Sequence, residues 1–366
     1  MKKMLPLAVL ASLALGAHPA LAQKLQPEWG LGFYAVADNR EYDLAQSQMP
    51  QSLLGAWLTP EAGLAFDSVH HLRAGAGILR YFGSPDKGID QLQYTAYYRY
   101  HLKPFELYVG SFPARALLAD YPAALLYDSI ADFRPNMGGV FWRIYGARWH
   151  ANIWLDWTGH QTYEQRETFL VGIAGSCRLG SFYAAAQSYM NHFAGVMGPA
   201  NDTLHIVDNG MARLCAGFSL PANAWLDSLN INAGALASYS RERSVDEKYR
   251  ASTGFIGEIT LEKFGLGVKN TLYVGENQMP LYPKYGEQHL YWGDAFYQNK
   301  FYNRTDIYVQ FFDTDRVQAR FTWALHAAEK ILSHQQRFTL SVRLDSAQPK
   351  GQPRSSRKTL AGWIRG

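Results

Sequence analysis

Beyond its first two dozen positions the chain lacks any uninterrupted apolar stretch of about 18 residues, the length a membrane-spanning helix needs. That excludes a helical span there, so any crossing of a bilayer must be made by strands. Cysteine is nearly absent: Cys177 and Cys215 are the only two. Strand alternation puts Cys177 on a lipid face and Cys215 on a lumen face, so a bridge between them would be geometrically difficult and both read as free thiols. Charged residues make up only 18% of the chain, and the formal net charge of +4 does not describe its body. Two Lys lie in the leader, and five Lys/Arg with no acid lie in residues 346–366. Setting those seven aside leaves 28 basic against 31 acidic residues. No basic face points to nucleic acid. No His/Cys/acid spacing reads as a metal centre, and no cofactor motif is present. The group Asp156, His160, Glu164 and Glu167 reads as a wet rim, and His70-His71 as a turn pair.

Residues 1–22 read as a signal peptide. Lys2 and Lys3 precede the apolar stretch Leu5 to Ala17, and Ala20-Leu21-Ala22 fits a cleavage site. Residues 23–345 form the body. Residues 346–366 are rich in Pro, Gly, Ser and basic side chains and read as a disordered tail.

The body is organised around Gln91 to Phe112. Leu92, Tyr94, Ala96, Tyr98 and Tyr100 alternate with Gln93, Thr95, Tyr97, Arg99 and His101. After Lys103-Pro104 the alternation resumes in Phe105, Leu107 and Val109. Period-2 patterning marks strands. The unit recurs, giving about sixteen candidate strands from Trp29–Asp38 to Gln336–Asp345. Connections after odd strands are long, and those after even strands mostly short. Short turns at one end and long loops at the other, with 23 Tyr and 10 Trp available for interfacial girdles, describe an all-β, closed antiparallel transmembrane β-barrel. An even count leaves both termini on the short-turn, periplasmic side. Val317, Phe321, Trp323, Leu340 and Val342 should face lipid. A Lys or Arg there would cost about 2–4 kcal/mol at mid-depth. Asn270 breaks the rule by falling on the apolar parity of its strand. The last outer connection is expected at residues 328–335.

The stretches YYRYHLKPFELYVGSF, NIWLDWTGHQT and NQMPLYPKYG…YWGDAFYQNKFYNRTD resemble porin-like outer-membrane proteins of Bacteroidetes, and the long third loop resembles that of general porins. The resemblance covers most of residues 29–345. It implies a bacterial outer-membrane location and passive transport, and brings no catalytic motif. General porins trimerise, which makes a homo-oligomer an expectation by analogy.

On this reading the protein is a channel for passive diffusion of small hydrophilic solutes, in contact with outer-membrane lipid. The third loop, Ala114 to Met137, would enter the bore. Its Arg115, Asp120, Asp128, Asp132 and Arg134 would form a constriction with a transverse field. Arg99, Glu106, Arg143, Asp156, Arg320, Arg337 and Arg343 would face the lumen. In the loop from Glu276 to Tyr302, the aromatics Tyr285, Tyr291, Trp292 and Tyr297 would stack on glycans or anchor the rim. The competing readings are a surface receptor or adhesin with a plugged bore, and an outer-membrane lipase or protease. A lipase needs Ser and His together on the outward face at headgroup level. Alternation brings no such pair together, so the chain is expected not to be an enzyme.

Overall fold

The structure is a computed structural model that describes residues 25–42, 48–86, 88–198, 206–220, 225–329 and 331–347. The signal-peptide assignment and nearly all of the tail lie outside these residues. The strands are β1 (Gln26–Glu41), β2 (Gln51–Phe66), β3 (His70–Tyr81), β4 (Gln91–Leu102), β5 (Phe105–Pro113), β6 (Asn136–Tyr145), β7 (Trp149–Gly159) and β8 (Thr168–Leu179). They continue as β9 (Phe182–Phe193), β10 (Val207–Leu220), β11 (Ser228–Glu242), β12 (Arg250–Lys263), β13 (Leu266–Gly275), β14 (Phe301–Asp313), β15 (Val317–Ala328) and β16 (Ile331–Asp345). Each pairs antiparallel with its sequence neighbours, and β1 closes on β16. The result is one closed barrel of sixteen strands.

The outward stripe is apolar: Leu72, Ile153, Ile173, Leu214, Phe321 and Trp323 are all exposed to the surroundings of the barrel. This is the surface that meets lipid. Asn270 does sit on that face. It is tolerated because it donates to Asn303 Oδ1 (3.0 Å) and Thr305 Oγ1 (2.8 Å) on neighbouring β14, so its amide is not left bare in hydrocarbon. Pro60 lies inside β2. Register with β3 is the same above and below it, from Leu58↔Ile78 to Glu61↔Gly75, and the ladder simply skips the residues that cannot pair.

One boundary differs from expectation. β15 ends at Ala328 and β16 begins at Ile331, so the last outer connection is a tight hairpin and not an eight-residue loop. The segment from Ile331 to Gln335 carries polar residues on both faces. At an outer rim both faces are wet, so alternation fades while the backbone pairing continues.

The inner wall departs from the expected polar lining. In the outer half of the bore, Leu170, Met211, Leu236 and Ile256 point inward and are fully buried. They pack against two outer loops that fold into the barrel. The third, L3 (residues 114–135), carries helix α1 (Asp128–Phe133); the seventh, L7 (residues 276–300), carries α2 (Tyr282–Tyr285). Leu117, Leu125, Met279, Leu290, Phe296 and Tyr297 complete this core. The two loops run backbone to backbone: Tyr127 N donates to Trp292 O (2.7 Å) and Asp294 N to Ala123 O (2.8 Å). Gly293 sits at the crossing. A Cβ there would lie 1.9 Å from Ala124 O, so only glycine permits the approach.

Candidate functional site

The charged residues of L3 are bound to the wall. Asp132 is buried and accepts from Arg337 Nη2 (2.7 and 2.9 Å) and Tyr34 Oη (2.5 Å). Asp128 meets Arg304 (3.3 Å); the neighbouring cations Arg337 and Arg304 outweigh its burial and hold its pKa down at about 2. Arg115 lies 3.6 Å over the Tyr34 ring and donates to Asp132 O. Arg134 lies 4.6 Å over the Trp292 ring. Asp120 reaches His150 on β7 (3.0 Å), and that hydrogen bond lowers its pKa. These five side chains therefore act as ties between L3 and its surroundings, each with its own partner.

Below the loops, the periplasmic half of the bore is charged. Glu106 is gripped by Arg143 and by Arg99 (3.0 Å). Glu258 holds Arg213 (2.5 Å) and Lys269 (2.9 Å). Arg320 donates to Gln310 Oε1 (2.7 Å), and Arg343 stands 3.5 Å from Asp345. Asp156 sits higher, level with Leu170 on the neighbouring strand, and accepts from Gly138 N (2.9 Å). All lie on the inward parity of their strands.

The glycan-stacking expectation for L7 fails. Tyr285, Tyr291, Trp292 and Tyr297 are all buried, with at most 6% exposed, and pack inside the L3–L7 core. Their faces are spent on that core and present no platform to a sugar outside.

On the outer surface the extracellular rim carries chemistry that sequence reasoning missed. Register aligns Trp157, Phe169, His192, Asp208 and Arg241 in one row across β7, β8, β9, β10 and β11. All five lie on the outward parity, at or near the outer ends of their strands. His192 Nδ1 is 2.6 Å from Asp208 Oδ1. Asp208 is buried beneath its neighbours and also accepts from Arg243 Nε (2.7 Å) and Tyr249 Oη (3.5 Å). The hydrogen bond that Arg243 donates to Asp208 raises the pKa of Arg243, so this guanidinium stays charged. Phe169 stacks on Trp157 and lies tilted against His192. Tyr239 lies across Gly210, where a Cβ would meet its ring at 2.3 Å. The carboxylate fixes Nδ1 as the protonated nitrogen, which leaves Nε2 with a lone pair. Alternation in the sequence marks strands at Ser181–Tyr189 and Gly210–Ser219, so His192 and Asp208 fall beyond those ends. Their parity, and hence their meeting, was invisible until those strands were seen to run a few residues further.

A second outward cluster lies at the barrel seam. Ser52 Oγ donates to Asn39 Oδ1 (2.6 Å), and Asn39 Nδ2 to Gln336 Oε1 (2.7 Å) and Glu41 Oε1 (3.0 Å). Gln336 Nε2 then meets His334 Nδ1 (2.6 Å). Here the amide donates to Nδ1, so a neutral His334 carries its proton on Nε2 and its acceptor nitrogen is already engaged. Among the described residues no group of three His, Cys, Asp or Glu could hold a metal ion.

A family model described as Lipid A 3'-O-deacylase-type matches residues 30–347, nearly the whole barrel. The chain belongs to that family. Its description is that of an enzyme, which overturns the expectation of a non-enzymatic protein. That expectation rested on the absence of an outward Ser–His pair, and one outward histidine, His192, is partnered by a carboxylate. No curated protein matches. Among solved structures, a loop-deletion form of OmpT, an outer membrane protein of Vibrio cholerae, is similar at 9% identity. The likeness covers 87% of this chain and 99% of that one, with a TM-score of 0.53. OpdK of Pseudomonas aeruginosa (8% identity, 87% and 99% covered, TM-score 0.48) and OccAB3 of Acinetobacter baumannii (10% identity, 87% and 99%, 0.45) are similar more loosely. At 9% identity the likeness to OmpT speaks for the fold alone. This family member is a sixteen-stranded outer-membrane barrel.

Proposed function

We propose that this family member is an outer-membrane acyl-ester hydrolase working at its extracellular rim on an anionic outer-leaflet lipid. The observation that carries the reading is the outward His192–Asp208 dyad, set at headgroup level on a barrel of a deacylase-type family. An ester-linked acyl chain lies along the lipid face, with its ester near the polar boundary. The rim row stands at that height. His192 Nε2 takes a proton from water as the oxygen attacks the ester carbonyl. Asp208 stabilises the imidazolium that forms, and the proton passes on to the leaving alkoxide. The products are a free fatty acid and an alcohol. Arg241 and Arg243 supply positive charge for the oxyanion and for lipid phosphate.

Passive diffusion of small hydrophilic solutes is the weaker reading. The periplasmic half of the bore suits solutes, but the L3–L7 core fills the outer half, as it would in a plugged surface receptor. A solute would have to displace packed aromatic side chains to pass.

Purified protein in detergent, mixed with lipopolysaccharide, should release fatty acid detectable by mass spectrometry. His192→Gln should slow release by about 10²–10⁴-fold, the range typical of a lost general base. If His192→Gln keeps full activity while His334→Ala loses it, the working site is the seam cluster. If the wild-type protein releases nothing, the hydrolase reading falls.

A further inference from the structure

The bore holds a hydrogen-bonded chain that the rim dyad does not use. Ser176 Oγ lies 3.1 Å from His150 Nδ1, and His150 Nε2 lies 3.0 Å from Asp120 Oδ2. Ser176 and His150 are direct cross-strand partners on β8 and β7, on the inward face. Asp120 comes from L3, whose tip is fixed there by the neighbouring Tyr121, which accepts from Trp154 Nε1 (2.9 Å) and donates to Ser188 O (3.1 Å). Hydroxyl, imidazole and carboxylate thus stand in series, each within reach of the next. Asp120 on Nε2 fixes that nitrogen as the protonated one. Nδ1 is left as the acceptor facing the serine, the arrangement a serine nucleophile needs, with the two ring nitrogens in exchanged roles.

Two amides stand in the row above the serine. Asn152 and Gln187 stand on either side of Ala174, one inward position further toward the outer end. Both are more than nine-tenths buried, and their side-chain oxygens have no hydrogen-bond partner among the described residues. Each carboxamide oxygen is therefore an open acceptor beside the site, available to a donor on a bound polar ester. His150 and Asp120 are open to the bore, at 25% and 50% side-chain exposure.

We propose that Ser176, His150 and Asp120 form a second, luminal hydrolytic site that cleaves small water-soluble carboxylic esters entering from the periplasmic mouth. The L3–L7 core closes off the extracellular side, and the charged wall below it disfavours a long acyl chain. Ser176 Oγ forms a bond to the ester carbonyl carbon while His150 Nδ1 takes its proton. The tetrahedral intermediate collapses, the C–O bond to the alcohol breaks, and His150 returns the proton to the departing alkoxide. Water then attacks the acyl-serine by the same relay, releasing the carboxylic acid and restoring the hydroxyl.

The test is covalent labelling of the full barrel in detergent with a fluorophosphonate probe, together with turnover of p-nitrophenyl acetate. The wild-type protein should be labelled at Ser176, as read by peptide mass. Ser176→Ala should abolish labelling. Asp120→Asn should slow labelling at least tenfold while keeping the hydrogen bond's geometry, and His192→Gln should leave it unchanged. Resistance of each variant to heat in unboiled gels checks that the barrel has folded. Ser176→Cys, which keeps a nucleophile, should be acylated by p-nitrophenyl acetate faster than Ser176→Ala. Absence of probe on Ser176 in the folded wild-type protein overturns the proposal, as does equal labelling of folded Ser176→Ala.

Discussion

The two halves of the bore are built on opposite principles. The extracellular half is a dry core in which Leu170, Met211, Leu236 and Ile256 meet the aromatic side chains of L7. The periplasmic half is a wall of paired charges such as Arg99–Glu106–Arg143 and Arg213–Glu258–Lys269. Both are made by the same strands, and the change occurs along each strand, not between strands. A barrel wall therefore has two independent variables: parity decides inside or outside, and height decides wet or dry. L3 ties the halves together, since its apolar residues join the core above while Asp128 and Asp132 reach the wall arginines.

That contrast can be broken from the dry side. Trp292→Ala removes a buried ring that packs in the L3–L7 core and carries the Arg134 guanidinium. It should cost about 3–5 kcal/mol, the usual range for emptying an aromatic core site. The reading is faster proteolysis of L7 in the folded barrel, with the strands still resistant to heat.

Asp132→Ala leaves the partly buried Arg337 without its carboxylate. Breaking one side of a buried pair typically costs about 3–5 kcal/mol. Removing both partners, as Asp132→Ala with Arg337→Met, should recover part of it. Thermal unfolding of single and double variants in detergent checks this. Equal losses in the two would mean that the pair is not the tie described here.

Asp294 gives the contrast a pH dependence. It is buried in L7, where desolvation lifts its pKa from 3.8 to about 6. A raised carboxylate binds its proton more tightly folded than unfolded, so its contribution is fully present below about pH 4. It is lost as pH rises through about 6, up to roughly 3 kcal/mol at 1.36 kcal/mol per unit. L7 should be most firmly seated in mild acid. Asp294→Asn should flatten the dependence between pH 4 and 6, as read by protease protection of L7 at each pH. The depressed Asp128, with its pKa held to about 2, acts only below that window.

On the wet side the smallest effect is expected at Arg343, whose side chain is 55% exposed and whose partner Asp345 also holds Arg73. Arg343→Ala should change stability by less than about 0.5 kcal/mol. A loss as large as that of Asp132→Ala would erase the distinction between the halves.

Much of the barrel could be read from the chain because its signals are local. In β7, Trp149, Ala151, Ile153, Leu155 and Trp157 alternate with His150, Asn152, Trp154 and Asp156, and nothing outside that strand is needed to see it. The reading failed where the solvent on the two faces stops differing. That hid the β15–β16 hairpin and the outer ends of β9 and β10, and with them His192 and Asp208. It also failed for Leu170 and Ile256, because parity alone cannot say that an inward residue meets a loop and not water.

The sequence by itself determined the class of fold, the membrane-facing stripe and the end of the barrel that bears the long loops. Each follows from a two-residue period and from connection lengths, both properties of neighbouring residues. The tertiary structure decided what fills the bore and which polar groups meet. Asp132 and Arg337 are 205 positions apart, and Asp120 finds His150 only because L3 folds inward. The rim dyad needs one register between β9 and β10 to put His192 opposite Asp208. A shift of one residue would turn one of the two to the other side of the wall, because strand neighbours alternate faces.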